Sequence, residues 1–139
     1  MTTTVDSTRE NDMFKLVFAA CIALALGPAI GVAHAASADC PTLSSRLLDH
    51  LDKGDFTGAT ADFDDRMRSG LSADALANVW QSLPQKFGAR GAREPARSSV
   101  TNGSAVVVTP LHYGDKLIDA QVACSADGRI AGFYIRPHH

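Results

Sequence analysis

The sequence predicts an α+β domain: three N-terminal helices packed on the concave side of a curved, mainly antiparallel four-stranded sheet, a cone-like arrangement. Three observations carry this. Apolar residues recur at helical spacing through the first half, the period changes from 3.6 to 2 after Gly88, and two turn signals bring the later strands into one shared register. Helices then pack on one side of the sheet because each element has one apolar face to bury.

Leu43, Leu47 and Leu51, with Leu48 beside them, place a first amphipathic helix over 42–53, which Gly54 ends. In "DKGDFTGATADFDDRM", residues 52–67, Asp55 stands as N-cap of a second helix. Its stripe is Phe56, Thr60, Phe63 and Met67, with Asp62 and Asp65 on the solvent side. Ser72 caps a third helix that carries Leu76, Val79, Trp80 and Leu83 on one face. Pro84 removes a backbone donor and clashes one turn back, so this helix ends or kinks near residue 83.

A weak strand is predicted over 89–97, followed by a "TNG" turn and the strand "SAVVVTPLHY". Gly114-Asp115 turns the chain into "KLIDAQVAC", and Asp127-Gly128 turns it into "RIAGFYIRP". As two-residue turns they set Leu111 opposite Ile118, Thr109 opposite Ala120, Val107 opposite Val122, Cys124 opposite Ala131, Val122 opposite Phe133 and Ala120 opposite Ile135. Both hairpins then put the same residues on the inner face, and a slip of one would expose all of them. The outer face holds Val106, Val108, Pro110, His112, Leu117, Asp119, Gln121, Tyr134 and Arg136, with Asp119 facing Arg136 as an expected ion pair. Val106, Val108, Leu117 and Tyr134 form a patch there, which suggests a homodimer through this sheet face.

Ahead of the domain, "MFKLVFAACIALALGPAIGVAHA" reads as Lys15, an apolar run and the small-residue site Ala33-His34-Ala35, the parts of a secretory signal peptide over 1–35. The run is shorter than the roughly 20 residues of a membrane span and is broken by Gly27-Pro28. Both Met1 and Met13 are candidate starts. Cleavage after Ala35 leaves 104 residues: a leader over 36–42, the domain over 43–137 and a tail at 138–139. A periplasmic or secreted location follows, with no membrane attachment after cleavage. Cys21 departs with the leader, and Cys40 and Cys124 enter an oxidising compartment as a pair, so a disulfide between them is expected. The mature part is nearly neutral, with 11 basic and 12 acidic side chains, which gives no steering toward nucleic acid. Arg90, Arg93 and Arg97 lack interleaved aromatics and read as a solvated strand edge.

The ordered landmarks "KGDF", "FDDRM", "LANVWQSL", "FGARGA", "VVVTPLHYGDKLIDAQV" and "DGRIAGFYIRP" resemble a small uncharacterised bacterial domain. That domain belongs to the nuclear-transport-factor-two-like superfamily, also called cystatin-like or ketosteroid-isomerase-like, and often precedes α/β-hydrolase domains. The likeness covers residues 43–137. It implies a cone with a pocket between helices and sheet, a frame that serves enzymes, ligand binders and dimer scaffolds alike, so fold alone leaves function open. No G-x-S-x-G is present, and the domain is expected to act as a stand-alone module, with a secreted hydrolase among its candidate partners.

The acidic stretch does not match a calcium loop: counted from Asp52, the positions that need oxygen ligands, glycine and glutamate hold Gly54, Phe56, Thr57 and Phe63. No metal or cofactor is expected, and His138-His139 reads as a tail. The resemblance implies an acid/base alternative, a small isomerase- or cyclase-like enzyme drawing on Asp119, His112, Tyr134 and His50. The register places the first three outside the cone. A disulfide leaves no thiolate for nucleophilic catalysis. The reading that remains is a secreted, non-catalytic module that binds a small apolar ligand or a protein partner. Its candidate cone lining is Phe56, Phe63, Trp80, Leu111, Val122 and Phe133.

Overall fold

The computed structural model describes residues 39–139. The expected signal peptide, its cleavage site and Cys21 lie outside the described residues. Four helices precede five strands: α1 (Cys40–Asp52), α2 (Phe56–Ala59), α3 (Asp65–Gly70), α4 (Ala73–Phe87), β1 (Arg90–Arg93), β2 (Arg97–Thr101), β3 (Ser104–Tyr113), β4 (Lys116–Cys124) and β5 (Ile130–Pro137). The α+β class holds, and the strands form one antiparallel sheet.

Helix α1 starts at Cys40, inside the expected leader, because Pro41 sits in the first turn where its missing N–H costs nothing. It buries Cys40, Ser44, Leu47, Leu48 and Leu51. The predicted second helix is instead two short ones. Asp55 does cap the first, accepting from the Gly58 amide at 2.9 Å. Asp64 then accepts from the Met67 amide at 2.6 Å and starts α3 afresh. Between them Phe63 makes a parallel bridge to Ile130, with the Ile130 N–H donating to Asp62 O and the Asp64 N–H to Ile130 O, both at 2.9 Å. Short polar side chains that bond to nearby amides favour such breaks over continuous helix. Phe63 is buried all the same, and Asp65 is exposed.

Ser72 caps α4 as predicted, accepting from the Ala75 amide at 3.2 Å. The helix does not end at Pro84 but runs a further turn to Phe87. Proline forfeits one bond there, and the Gly88 N–H still closes the turn on Pro84 O at 2.9 Å.

The first edge of the sheet is two strands rather than one over 89–97. Both β1 and β2 pair with β3, and the stretch between them carries Pro95, which cannot donate to a ladder. Asn102 and Gly103, with φ of 51° and 78°, make the two-residue turn that joins β2 to β3. The β3–β4 register matches the prediction throughout, from Val107 opposite Val122 to Leu111 opposite Ile118.

Between β4 and β5, Val122 faces Phe133 and Ala120 faces Ile135 as predicted, but Cys124 faces Ile130 rather than Ala131. The Ser125 N–H donates to Arg129 O, and Gly128 takes φ of 76°, so the turn holds three residues instead of two. The register shift at Ala123/Cys124 leaves Ala131 unpaired as a bulge, which restores the predicted pairing further on. The longer turn and the bulge cancel. Ile130 therefore occupies the core and Ala131 is exposed.

The core joins Leu47, Leu48, Leu51, Phe63, Leu76, Trp80 and Leu83 to Val107, Leu111, Ile118, Ala120, Val122 and Ile130, so the helices cover the predicted inner face. Cys40 and Cys124 form a disulfide that ties the start of α1 to the end of β4, with Cα atoms 5.8 Å apart.

Candidate functional site

A cleft of about 460 Å³ opens where the end of α1 meets α4 and the first strands. Leu51, Asp52, Lys53 and Gly54 come from the end of α1, Phe56 from α2, Trp80, Gln81 and Pro84 from α4, Arg90 from β1 and Tyr113 from β3. The helical period delivers Trp80 and Pro84 to the same side of α4, and Gly54 turns the chain so that Phe56 closes the opposite wall.

Two of its walls are ordered by aromatic contacts. Trp80 meets Tyr113 edge to face, with ring centroids 6.5 Å apart and planes at 81°. The Arg90 guanidinium lies over the other side of this wall, 5.4 Å from the Tyr113 ring centre. Tyr113 is only 1% exposed, and burial pushes its phenol up to about 12, with Arg90 opposing and Asp52 reinforcing the shift.

The rim is an ionic ladder. Arg93 donates from Nη2 to Asp52 Oδ2 at 2.7 Å, from Nε to the same oxygen at 3.2 Å and from Nη1 to Asp49 Oδ1 at 2.8 Å. Arg90 adds a bond to Asp52 at 3.3 Å and holds the backbone oxygen of Gly91 at 2.6 Å. Burial lowers the Arg93 pKa, the bonds to Asp52 and Asp49 outweigh it, and the net shift is upward. Arg90 and Arg93 are thus not a solvated edge as expected; they clamp β1 to the end of α1, while Arg97 is exposed.

Of the six residues expected to line the cone, Phe56 and Trp80 reach this cleft. Phe63, Leu111 and Val122 are each 0% exposed and fill the core. Phe133 faces a separate groove with Leu71, Leu76 and Val79. Leu51, Asp52, Arg90 and Tyr113 escaped sequence reasoning. Asp49 and Asp52, three apart on one helix, were the available signal, but only the fold identifies the arginines as their partners.

Three of the four acid/base candidates, His50, His112 and Asp119, sit in three separate pairs, and Tyr134 is in none of them. His50 Nδ1 lies 2.8 Å from Asp55 Oδ2, His112 Nε2 lies 2.6 Å from Glu94 Oε1, and His138 Nδ1 lies 2.7 Å from Asp119 Oδ1. The backbone amide of Gly58 and then the His50 contact hold the Asp55 carboxyl below the usual range. Asp119 does stand opposite Arg136, but its partner is His138, and Arg136 stacks on Tyr134 at 5.1 Å. A residue read as tail therefore fills the place expected of Arg136. Two further polar side chains are buried, Ser44 and Thr109, and both line a small pocket of about 180 Å³ under α1. Among the described residues no group of three or more histidine, cysteine or acidic side chains is placed to hold a metal ion.

Among the described residues no helix is long and apolar enough to cross a membrane. No curated protein and no solved structure matches the chain. The family model described as "Protein of unknown function (DUF3887)" matches residues 44–133, more than half of the chain, from the first turns of α1 to the middle of β5. The chain belongs to that family.

Proposed function

We propose that this protein is a secreted, non-catalytic module that binds a small apolar ligand at the open end of a nuclear-transport-factor-two-like cone. The observation that carries this reading is the cleft itself. Leu51, Phe56, Trp80, Pro84 and Tyr113 present apolar surface around an opening of about 460 Å³, while Asp52, Lys53 and Arg90 supply the few polar groups that orient a ligand. Phe63, Leu111 and Val122 of the predicted lining are solid core and Phe133 faces a separate groove, so a ligand enters at the end of the cone and not its centre. Secretion is supported by the leader pattern in the sequence and by the Cys40–Cys124 bridge. A secreted hydrolase is a candidate partner on the strength of the family resemblance. A homodimer through the sheet face draws its support from Tyr134, 47% exposed, and from half-buried Val108 and Leu117 on the same face, while Val106, expected in that patch, is buried at 7% exposure.

Trp80 is the only tryptophan in the chain and sits in the cleft wall, which makes the reading measurable. Titration with an apolar fluorophore such as anilinonaphthalene sulfonate is expected to quench Trp80 emission by energy transfer, saturably. Gln81→Phe, which fills the cleft from its exposed side and keeps Trp80 the only tryptophan, is expected to weaken that binding at least tenfold with an unchanged circular-dichroism spectrum. Binding that is indifferent to Gln81→Phe, or no saturable quenching at all, overturns the proposal.

A further inference from the structure

We propose that the ligand of the cleft is an apolar carboxylic acid, its carboxylate held between the Tyr113 hydroxyl and the Lys53 ammonium and its apolar body laid against Phe56 and Trp80. The cleft is the one described above, so this assignment rests on the reading of it as a ligand site. The starting point is a buried donor with no partner in the protein. Tyr113 is 1% exposed and lines the cleft, and its hydroxyl makes no hydrogen bond among the described residues. The unpartnered side-chain atoms that are shut off from solvent there are Ser44 Oγ and Arg90 Nε. The Tyr113 hydroxyl is not one of them, so it is not sealed in the core but opens on the cleft. Whatever occupies the cleft has to accept a hydrogen bond from it.

The charged groups around the opening fall short of one anion. Asp52 is the only carboxylate that lines it, and its Oδ2 already accepts from Arg90 Nη2 at 3.3 Å and from Arg93 Nε and Nη2 at 3.2 and 2.7 Å. Arg90 in turn spends Nη1 on the Gly91 oxygen and Nη2 on Asp52. Lys53 lines the same cleft, is exposed, and has no carboxylate partner among the described residues. Lys53 and Arg90 against Asp52 therefore leave a positive charge over at the cleft wall.

The field at the phenol points the same way. There the pull of Arg90 toward negative charge exceeds the opposing effect of Asp52, while burial keeps the phenol protonated and able to donate. A carboxylate answers both demands at once: one oxygen accepts from Tyr113 and the other faces Lys53, a charge-assisted pair stronger than a neutral hydrogen bond. An amine would meet Lys53 and Arg90 as like charges, and a purely apolar molecule would leave the Tyr113 donor unmatched. The body of the acid is set by the walls. Phe56, Trp80 and Pro84 offer flat apolar surface, and about 460 Å³ accommodates a fused two-ring system.

The test is calorimetric titration of the disulfide-bonded protein at neutral pH with naphthoate and with naphthamide, which share ring and shape and differ in charge. The wild type is expected to bind naphthoate at least tenfold more tightly than naphthamide. Lys53→Met keeps the side-chain stem, drops the charge, and is expected to bring the two affinities together. Tyr113→Phe keeps the ring against Trp80, removes the hydroxyl, and is expected to weaken naphthoate at least fivefold with an unchanged circular-dichroism spectrum. Lys116→Met, outside the cleft, is expected to change nothing. Equal affinities for the two probes in the wild type, or naphthoate binding that is indifferent to Lys53→Met or to Tyr113→Phe, overturns the carboxylate assignment. If Gln81→Phe still weakens both probes in that case, the cleft remains a ligand site; if Gln81→Phe affects neither, the cleft reading falls and the carboxylate assignment with it.

Discussion

Individual side chains in this protein earn their place through one or two neighbours that sequence spacing only sometimes reveals. Asp55 was legible, because a short acceptor before an apolar stripe is how a helix starts. The His50 contact to the same carboxylate, 2.8 Å away, adds a hydrogen bond across the α1–α2 turn. Gly58 is needed beside them: a Cβ there would run into the Asp55 carboxylate and the His50 ring. Tyr113 was not legible. Alternation with Val107, Thr109 and Leu111 assigns it to the inner side, but nothing local shows that at the hairpin end of β3 it is buried against Trp80 and Arg90. Its phenol has a folded pKa of about 12 against an ordinary value of 10.0. The neutral form is therefore favoured by folding: this stability is complete below about pH 10 and is lost as the pH rises toward 12. Thermal unfolding followed between pH 9 and 12 is expected to show that loss, and Tyr113→Phe is expected to flatten it.

At the scale of elements, helix periodicity found the buried stripes, apart from Val79, which is 46% exposed at the margin of α4, but not every boundary. The stripe Phe56, Phe63 and Met67 does turn inward, yet the backbone under it breaks at residues 60–64, where Phe63 leaves the helical path to extend the sheet at Ile130. One pairing of strand-like backbone outweighs a helix propensity already weakened by threonine, glycine and aspartate. Pro84 errs in the other direction. It lies in the last turn of α4, where one missing bond does not end a helix whose Leu76, Trp80 and Leu83 are anchored in the core. Pro84→Ala restores the donor toward Trp80 O, and a stabilisation of about 1 kcal/mol in urea unfolding is expected. The β4–β5 hairpin carries a lesson on register: a three-residue turn and a bulge at Ala131 compensate, so the pairing of Val122 with Phe133 was deducible from a turn of the wrong length.

For the whole molecule, the Cys40–Cys124 bridge spans 84 positions and joins the first described helix to the sheet. A cross-link that closes so much chain removes much of the freedom of the unfolded state, about 4 kcal/mol on the loop-entropy estimate. That is a large share of the 5–15 kcal/mol that holds a typical domain together. Replacing both cysteines with alanine is expected to lower the urea midpoint sharply while the far-ultraviolet spectrum of the folded state persists. An unchanged midpoint would mean that the bridge constrains nothing the packed core does not already hold. The ionic ladder of Asp49, Asp52, Arg90 and Arg93 plays a smaller part at the same scale, holding the first strand against the first helix beside the cleft.

By itself the sequence determined the α+β class, the inner face of the sheet, the two central registers and the pairing of the cysteines. These follow from periodicity, turn chemistry and counting, which act over a few residues or leave a single choice. Only the tertiary structure decided where the acidic stretch ends up. Asp52 joins two arginines at the rim of a cleft, Asp55 and Asp64 cap two helices instead of one, and Phe63 closes part of a sheet edge. It also decided that the cleft lies at the end of the core. The caps are local, but the arginine contacts of Asp52, 38 and 41 positions away, and the Phe63 bridge to Ile130 are set by how layers pack rather than by any local pattern of side chains.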